Sequence, residues 1–370
     1  MASTESGSGR TANPSGQTEN KGPNPSGNGL PYKRIATEEA FATPELLNLY
    51  RKLLAEGIDD PGFNSLWGFY LNSPSERPRS IIEKLQWLDE RRVRDMDASG
   101  LDMHILSLTG PGVQIFDEPT AVALSKSSND QLSEAIRKHP TRFAGIAAIA
   151  PQNPQEAAKE LERAVTKLGL KGAVINSHTH DEYLDDPKFW DIFAAAESLD
   201  VPIYIHPQGP SRGLIGPMLK RGLDGAIFGF GVDVGMHILG IITSGAFDRF
   251  PKLQLMIGHM GEALPFWLYR LDYMHRATVN SKRYEAMKPL KKKVSDYMKE
   301  NVYVTNSGVA WAPAIQFSQQ VLGVDRVLYA MDYPYQFNLE EVGALEREKG
   351  VPLDVLRKFY QTNAERAFKL

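Results

Sequence analysis

The chain has 370 residues, 42% of them hydrophobic, and a formal net charge of −3. That is enough apolar material for a large core, and the two charge signs are scattered, so no basic stripe argues for nucleic acid and no polybasic run for a membrane surface; a small-molecule partner is favoured. Cysteine is absent, which removes disulfides, thiolate metal sites and thiol nucleophiles together and leaves His, Asp and Glu as the metal donors.

Residues 1–30 are mostly Ser, Gly, Asn, Thr and Pro. They have too few large apolar side chains to offset the entropy of ordering and are expected to form a disordered tail. They also lack the apolar core of a signal peptide, and no apolar run is long enough to cross a bilayer, so a cytoplasmic protein is expected. Residues 31–370 read as one domain. Arg34 to Phe41 is its first strand, and Thr43 caps the helix that follows, with Pro44 in the first turn. The stretch from about 57 to 80 is rich in aromatics, Pro and Gly and reads as an irregular insertion forming a lid or one wall of a pocket.

Regular alternation follows. Strands are expected at Met103 to Leu108, Phe143 to Ala150, Lys171 to Asn176, Pro202 to His206, Leu253 to His259, Val302 to Thr305 and Val327 to Met331. Helical spacing lies between nearly all of them, and Leu353 to Phe368 closes the chain with helix. A Gly-rich stretch from Gly209 to Gly216 reads as loop. Short apolar runs are the mark of parallel strands buried on both faces, and their number fits an α/β fold of the (β/α)8 TIM-barrel type. A doubly wound sheet is the rival, but no Gly-x-Gly-x-x-Gly turn follows the first strand.

Four of the apolar runs end in a polar group: Glu38, His206, His259 and Asp332. In a barrel these C-terminal strand ends face the substrate. Glu38, His206 and Asp332 supply two carboxylates and one imidazole with coordination positions left open, which suits an oxygen-preferring ion such as Mn²⁺, with Zn²⁺ or Mg²⁺ as alternatives. His259 is expected to assist Asp332, with Glu262 fixing its other nitrogen; the plainer readings are a helix-capping histidine and a helix-dipole glutamate. Arg77 and Arg270 are candidates for gripping an anionic substrate in two parallel hydrogen bonds, and Tyr335, Trp67 and Phe69 for aromatic walls. His178 and His180 form an alternating pair in what reads as a solvated loop, while His104 and His237 sit in apolar surroundings and read as core or interface residues.

The segments Ala36-Thr37-Glu38-Glu39-Ala40-Phe41, Tyr204-Ile205-His206-Pro207, Gly258-His259-Met260-Gly261-Glu262, Met331-Asp332-Tyr333-Pro334 and Asn363-Ala364-Glu365-Arg366 together resemble the non-hydrolytic decarboxylase branch of the amidohydrolase superfamily. The resemblance implies a carboxy-lyase acting on an ortho-hydroxylated aromatic carboxylate: 2,3-dihydroxybenzoate, γ-resorcylate, salicylate or 5-carboxyvanillate. The stretch Trp67 to Arg77 is most similar to members that act on 5-carboxyvanillate. The same resemblance implies metal ligation by Glu38, His206 and Asp332, usually of Mn²⁺, assistance from His259, substrate contacts from Arg77, Arg270 and Tyr335, and a homodimer or homotetramer. Hydrolytic members begin with His-x-His, whereas Ala40 stands at the second position here, and Lys171 lies at the wrong end of its strand to bridge two metals. In the expected mechanism Asp332 protonates the ring carbon that carries the departing carboxylate. A metal-dependent hydrolase and a non-catalytic ligand-binding barrel are the alternative readings.

Overall fold

Short runs of β-branched, aliphatic and aromatic residues, separated by helices, form the parallel strands of this chain. In the computed structural model, which describes residues 28–370, these are β1 (Ile35–Phe41), β2 (Met103–Leu108), β3 (Phe143–Gly145 and Ala147–Ala148, interrupted at Ile146), β4 (Ala173–Asn176), β5 (Ile203–His206), β6 (Leu255–Ile257), β7 (Val302–Thr305) and β8 (Val327–Leu328). Each strand pairs in parallel with the next. The break in β3 is bridged: Ile146 N–H donates to Leu106 O (2.9 Å) on one side, and Lys171 N–H donates to Gly145 O (2.8 Å) on the other. The last strand region returns to the first through Thr37 N–H to Tyr329 O (3.1 Å) and Ala40 N–H to Tyr333 O (2.7 Å). The expected barrel is therefore the fold observed.

Its interior is packed. One buried cluster takes Ile35, Ile105, Ala144, Val174, Tyr204, Met256, Tyr303 and Leu328 from the eight strands in turn, and Ala364, Ala367 and Phe368 of the last helix seal it from below. This plug leaves only the opposite rim, the C-terminal ends of the strands, open for chemistry.

The first strand is irregular where it matters. Ala36 pairs with His104 and Glu39 with Leu106, so β1 carries one more residue than β2 over that stretch. Such a bulge re-aims the side chains beyond it. Ile35 belongs to the interior plug, and after the bulge Glu38 also faces the barrel interior, while Glu39 turns towards the loop after β8.

Helix starts follow local capping chemistry. Thr43 accepts from Leu46 N–H with Pro44 next in the chain, as its sequence signature predicts. The stretch expected to be irregular is helical instead, at Pro61–Asn72 and Glu76–Leu85. Asp60 caps the first of these by accepting from Phe63 N–H, and Phe63 and Trp67, four apart, bury one face. Capping and helical spacing outweigh the Gly and Pro content there. Part of the Gly-rich stretch is also helix, at Arg212–Leu219. The closing helix is broken into Leu353–Arg357, a wide turn at Lys358–Thr362, and Asn363–Phe368. Of the tail expected over residues 1–30, residues 1–27 lie outside the described residues, while the Asn28 amide donates to Gly100 O (3.0 Å) and Asp102 Oδ2 (3.1 Å), so residue 28 is tied to the domain rather than free of it. Among the described residues no helix is long and apolar enough to cross a membrane.

Two histidines sit in the core. His104 has no hydrogen-bond partner on either ring nitrogen among the described residues, and burial pushes its pKa well down. His237 Nε2 accepts from Leu184 N–H (3.0 Å), and burial pushes its pKa down to about 3. Both are neutral when folded, whereas the unfolded chain takes up their protons below about pH 6.5. The unfolded state therefore binds more protons between about pH 6.5 and 3, and stability falls through that window as pH falls, by up to ~1.4 kcal/mol per unit for each histidine. Calorimetric melting temperatures should drop on acidification from pH 6.5 to 4.5. His237→Gln, which keeps an acceptor for Leu184 N–H, should flatten that slope; an unchanged slope in this variant would remove the histidine from the account.

Candidate active site

Glu38 is buried at the open rim. Its Oε2 accepts from Thr305 Oγ1 (3.0 Å) and from the Tyr204 phenol. Burial, together with the Glu38 charge, raises the Tyr204 pKa well above its ordinary value, so the phenol keeps its proton and donates. Oε1 is buried with no hydrogen-bond partner among the described residues. It lies 3.5 Å from His206 Nε2 and 3.7 Å from His259 Nε2. The carboxylate fits because residue 258 is glycine: a Cβ there would stand 2.7 Å from Oε2.

The two imidazoles differ in state. His206 Nδ1 lies 2.8 Å from Pro207 O and 3.1 Å from Asn176 Oδ1, both acceptors, so hydrogen bonding assigns the proton to Nδ1 and turns the Nε2 lone pair towards Glu38. Burial lowers its pKa against the pull of Glu38. His259 sits in the left-handed region (φ 53°) in a run of positive φ angles that ends at Ala263, so it does not cap the helix Leu264–Ser281. Its Nδ1 is 2.7 Å from Glu262 Oε1. Burial alone would lower the His259 pKa, but Glu262, Glu38 and Asp332 together override it and carry it up to about 10.

Asp332 follows β8 and also has positive φ (67°). Burial, then the Glu38 charge, raises its carboxyl above the usual carboxylate range, with His259 and Arg77 pulling the other way. The Asp332 turn is held by Glu39, whose Oε1 accepts from Met331 N–H (2.9 Å) and Oε2 from Tyr333 N–H (3.0 Å). Burial raises the Glu39 pKa and these two amides favour its charged form. Both oxygens act as acceptors, which is the bonding pattern of an ionised carboxylate.

Among the described residues no three carboxylate or imidazole groups close into a ready-made cage. The pocket instead offers a buried carboxylate oxygen without a donor, beside an imidazole nitrogen presenting a lone pair, while the other oxygen and the other nitrogen are already committed. Donors oriented from behind in this way suit a hard divalent cation.

The remaining expected residues divide. Arg77 Nη2 donates to Tyr335 O (2.9 Å), and Tyr335 bonds Thr109 Oγ1 through its hydroxyl (2.6 Å), so both stand at the rim. Trp67 is fully buried, donates to Gly110 O (3.0 Å) and packs against Tyr50, so it supports the wall from behind. Phe69 is 53% exposed, and the ring that meets Tyr335 edge-on is its neighbour Tyr70 (5.6 Å). Arg270 is exposed on the helix Leu264–Ser281, outside the cavity that Trp267, Leu271 and Met274 of that helix line. That cavity, about 930 Å³ and mainly apolar, reaches His259, Glu262, Gly308 and Asp332. His178, expected in a solvated loop, is buried and bonded to Gly209 O (2.9 Å), whereas His180 is exposed. Lys171 reaches Lys369 O at the sealed end of the barrel.

Sequence reading missed Tyr204, Thr305, Asn176, Glu39 and Tyr70. Tyr204 was accessible by strand periodicity, since it stands two residues before His206 and so shares its face. Tyr70 was not, because a stretch read as irregular has no face.

The family model described as amidohydrolase matches residues 74–370 of the chain. The chain belongs to the amidohydrolase family. Among solved structures, this amidohydrolase is similar to a 5-carboxyvanillate decarboxylase of Novosphingobium aromaticivorans holding manganese and 4-hydroxy-3-methoxy-5-nitrobenzoic acid, at 56% identity and a TM-score of 0.90, covering 92% of this chain and 96% of that one. It is also similar to the 5-carboxyvanillate decarboxylase of Sphingomonas paucimobilis (39% identity, TM-score 0.85, covering 91% and 99% of the two chains). The γ-resorcylate decarboxylase of a Polaromonas species is 33% identical over 350 residues, 91% of this chain and 98% of that protein.

The close approach at Gly258 is directly testable. Gly258→Ala should destabilise the fold by about 1–3 kcal/mol, the usual cost of overpacking a closed site, read from denaturant unfolding. A stability within error of the wild type would mean that Glu38 has room to retreat.

Proposed function

We propose that this amidohydrolase is a metal-dependent decarboxylase of ortho-hydroxylated aromatic carboxylates, with 5-carboxyvanillate as substrate and vanillate as product. The observation that carries the reading is the bare Glu38 Oε1 beside His206 Nε2 and 3.7 Å from His259 Nε2, His259 itself lining an apolar cavity that also reaches Asp332. The similar 5-carboxyvanillate decarboxylase structure supports both the substrate class and the choice of Mn²⁺.

Glu38, His206 and Asp332 hold the divalent cation in this reading. When bound, the cation supplies Lewis-acid stabilisation and a template for a phenol oxygen and its adjacent carboxylate. The apolar cavity takes the ring, and the Arg77 guanidinium at the rim takes the carboxylate that remains on the product. Asp332 carries the proton. It passes from an Asp332 carboxyl oxygen to the ring carbon that bears the departing carboxylate; the bond to that carboxylate then breaks, its electron pair restores the aromatic ring, and carbon dioxide leaves. A neighbouring cation lowers the Asp332 pKa, whereas burial beside Glu38 raises it, and the second influence is already built into the chain. Charge from Glu262 and Glu38 keeps His259 an imidazolium that supports the developing negative charge in the pocket.

Carbon dioxide release from 5-carboxyvanillate, γ-resorcylate and 2,3-dihydroxybenzoate by Mn²⁺-loaded enzyme should give the highest kcat/KM for 5-carboxyvanillate. Chelation should abolish turnover and Mn²⁺ restore it, and Asp332→Asn should lower kcat by about 10²–10⁴-fold. Full activity after metal stripping, or near-normal kcat in Asp332→Asn, would overturn the mechanism.

We also propose a homo-oligomer, assembled through the helix Leu264–Ser281, on which Phe266, Trp267, Tyr269 and Tyr273 are 75%, 51%, 87% and 54% exposed. Arg270 lies on the same helix and outside its own cavity, so its expected substrate contact is assigned to the pocket of an adjoining copy. In sedimentation the wild type should run as a multiple of the chain mass, and Tyr269→Asp combined with Tyr273→Asp should run as a single chain. A monomeric wild type would remove both the assembly and the role of Arg270.

A further inference from the structure

The bulge in β1 sends two consecutive carboxylates in different directions, and only the first has a part in the chemistry above. Glu39 is fully buried, and its two oxygens accept the two backbone N–H groups that flank Asp332, those of Met331 and Tyr333. The residue between them has φ 67°, a left-handed conformation that residues other than glycine adopt at a cost and keep only when their surroundings enforce it. Further ties act on the same segment: Ala40 N–H donates to Tyr333 O (2.7 Å), Thr37 bonds Tyr329 O through both N–H and hydroxyl, and Gln336 N–H donates to Asp332 O (2.8 Å). Beneath the turn, the buried Arg92 guanidinium donates to Ala40 O (2.6 Å) and lies 4.5 Å from the centre of the Tyr333 ring. Tyr333 in turn bonds Asp95 through its hydroxyl (2.9 Å).

We propose that Glu39 is a positioning residue: a two-pronged acceptor that fixes the backbone on both sides of Asp332 and so aims the Asp332 carboxyl at the reacting carbon. The proposal rests on the role given to Asp332 above. It explains why a buried carboxylate is spent on two backbone amides when the strands already pair. A neutral side chain of the same shape cannot replace it, because an amide offers one acceptor oxygen and sets its NH₂ group against the second N–H. It also gives the bulge a double function, since the turn of the chain that brings Glu38 inward aims Glu39 at the other carboxylate of the site.

The test compares the wild type, Glu39→Gln, Asp332→Asn and the double variant, all loaded with Mn²⁺ and assayed on 5-carboxyvanillate. Glu39→Gln should lower kcat by about 10²-fold, the usual effect of roughly 1 Å of misplacement, with KM changed less than threefold. The double variant should be no slower than Asp332→Asn alone, because a residue acting only through Asp332 has nothing left to position. Multiplicative losses would overturn the proposal, as would an unchanged kcat in Glu39→Gln. Amide hydrogen exchange supplies a readout that does not depend on turnover. Exchange at Met331 and Tyr333 should rise at least tenfold in Glu39→Gln while β4, β5 and β6 exchange as in the wild type; unchanged protection at those two amides would also refute the clamp. If Glu39→Gln does not accumulate as folded protein, Glu39→Asp keeps both acceptor oxygens one methylene shorter and should show a smaller loss in the same two measurements. A wild type that releases no carbon dioxide from any aromatic acid would refute the functional reading, and the exchange data would still decide the clamp.

Discussion

Between Ala36 and Glu39, β1 carries one residue more than the stretch of β2 opposite. With regular alternation the inward positions would run Ile35, Thr37, Glu39; with the extra residue they run Ile35, Glu38. That shift is what presents a carboxylate to His206 and His259, and what frees Thr37 and Glu39 to tie β1 to the segment carrying Asp332. The rest of the rim accommodates it. Gly258 leaves room for the carboxylate, Thr305 and Tyr204 hold its outer oxygen, and the inner oxygen is left bare. Removing the bulge would place Glu38 among the surrounding helices, where a lone carboxylate has a high desolvation cost.

The charge balance of the pocket follows from this packing. Glu38, Glu262 and Asp332 stand around one imidazolium, that of His259, while burial keeps His206 neutral. Carboxylates gathered in a low-dielectric space repel one another, and the protein alone relieves this by retaining protons on His259 and Asp332. A divalent cation relieves the same repulsion differently, so its binding and the release of protons are linked. The pocket is therefore poised between two ways of satisfying one electrostatic demand, which suits the two roles proposed for it, holding a metal and delivering a proton.

Much of this was legible in the sequence, for a physical reason. Parallel strands buried on both faces leave short apolar runs, and a polar residue at the end of such a run has little place to go except the rim; on this ground Glu38, His206, His259 and Asp332 are the expected site residues, and the structure brings them together there. What escaped has equally physical causes. A bulge leaves no trace in composition, so nothing in the sequence separates Glu39 from Glu38, although its two oxygens hold the amides that flank Asp332 at the same rim. The positive φ angles at His259 and Asp332 could not be read because neither is glycine. The aromatic stretch after β1 was misread as irregular because Gly and Pro were weighed above Asp60 and the four-residue spacing of Phe63 and Trp67. Once that stretch is helical, Trp67 falls on its buried face and Tyr70, three residues on, meets the ring of Tyr335.

The placement of these aromatics separates two tasks. The groups around Glu38 sit on strand ends whose positions are fixed by hydrogen-bonded neighbours and a packed interior, which keeps reacting atoms in register. Tyr70 and Arg77 come from the two helices inserted after β1, and they meet the barrel at one residue, Tyr335: Tyr70 through its ring and Arg77 through the backbone carbonyl. Tyr335 stands three residues after Asp332, and its hydroxyl is anchored to Thr109 at the end of β2. A change in the inserted helices therefore alters the wall and the rim cation without touching the donors of Glu38 and His206. A change at Tyr335 reaches both, because it lies three residues after Asp332, the residue to which the proposed mechanism gives the proton. On the proposed reading, substrate choice can vary on the helices while the chemistry stays on the strands, and Tyr335 is the point where the two are coupled.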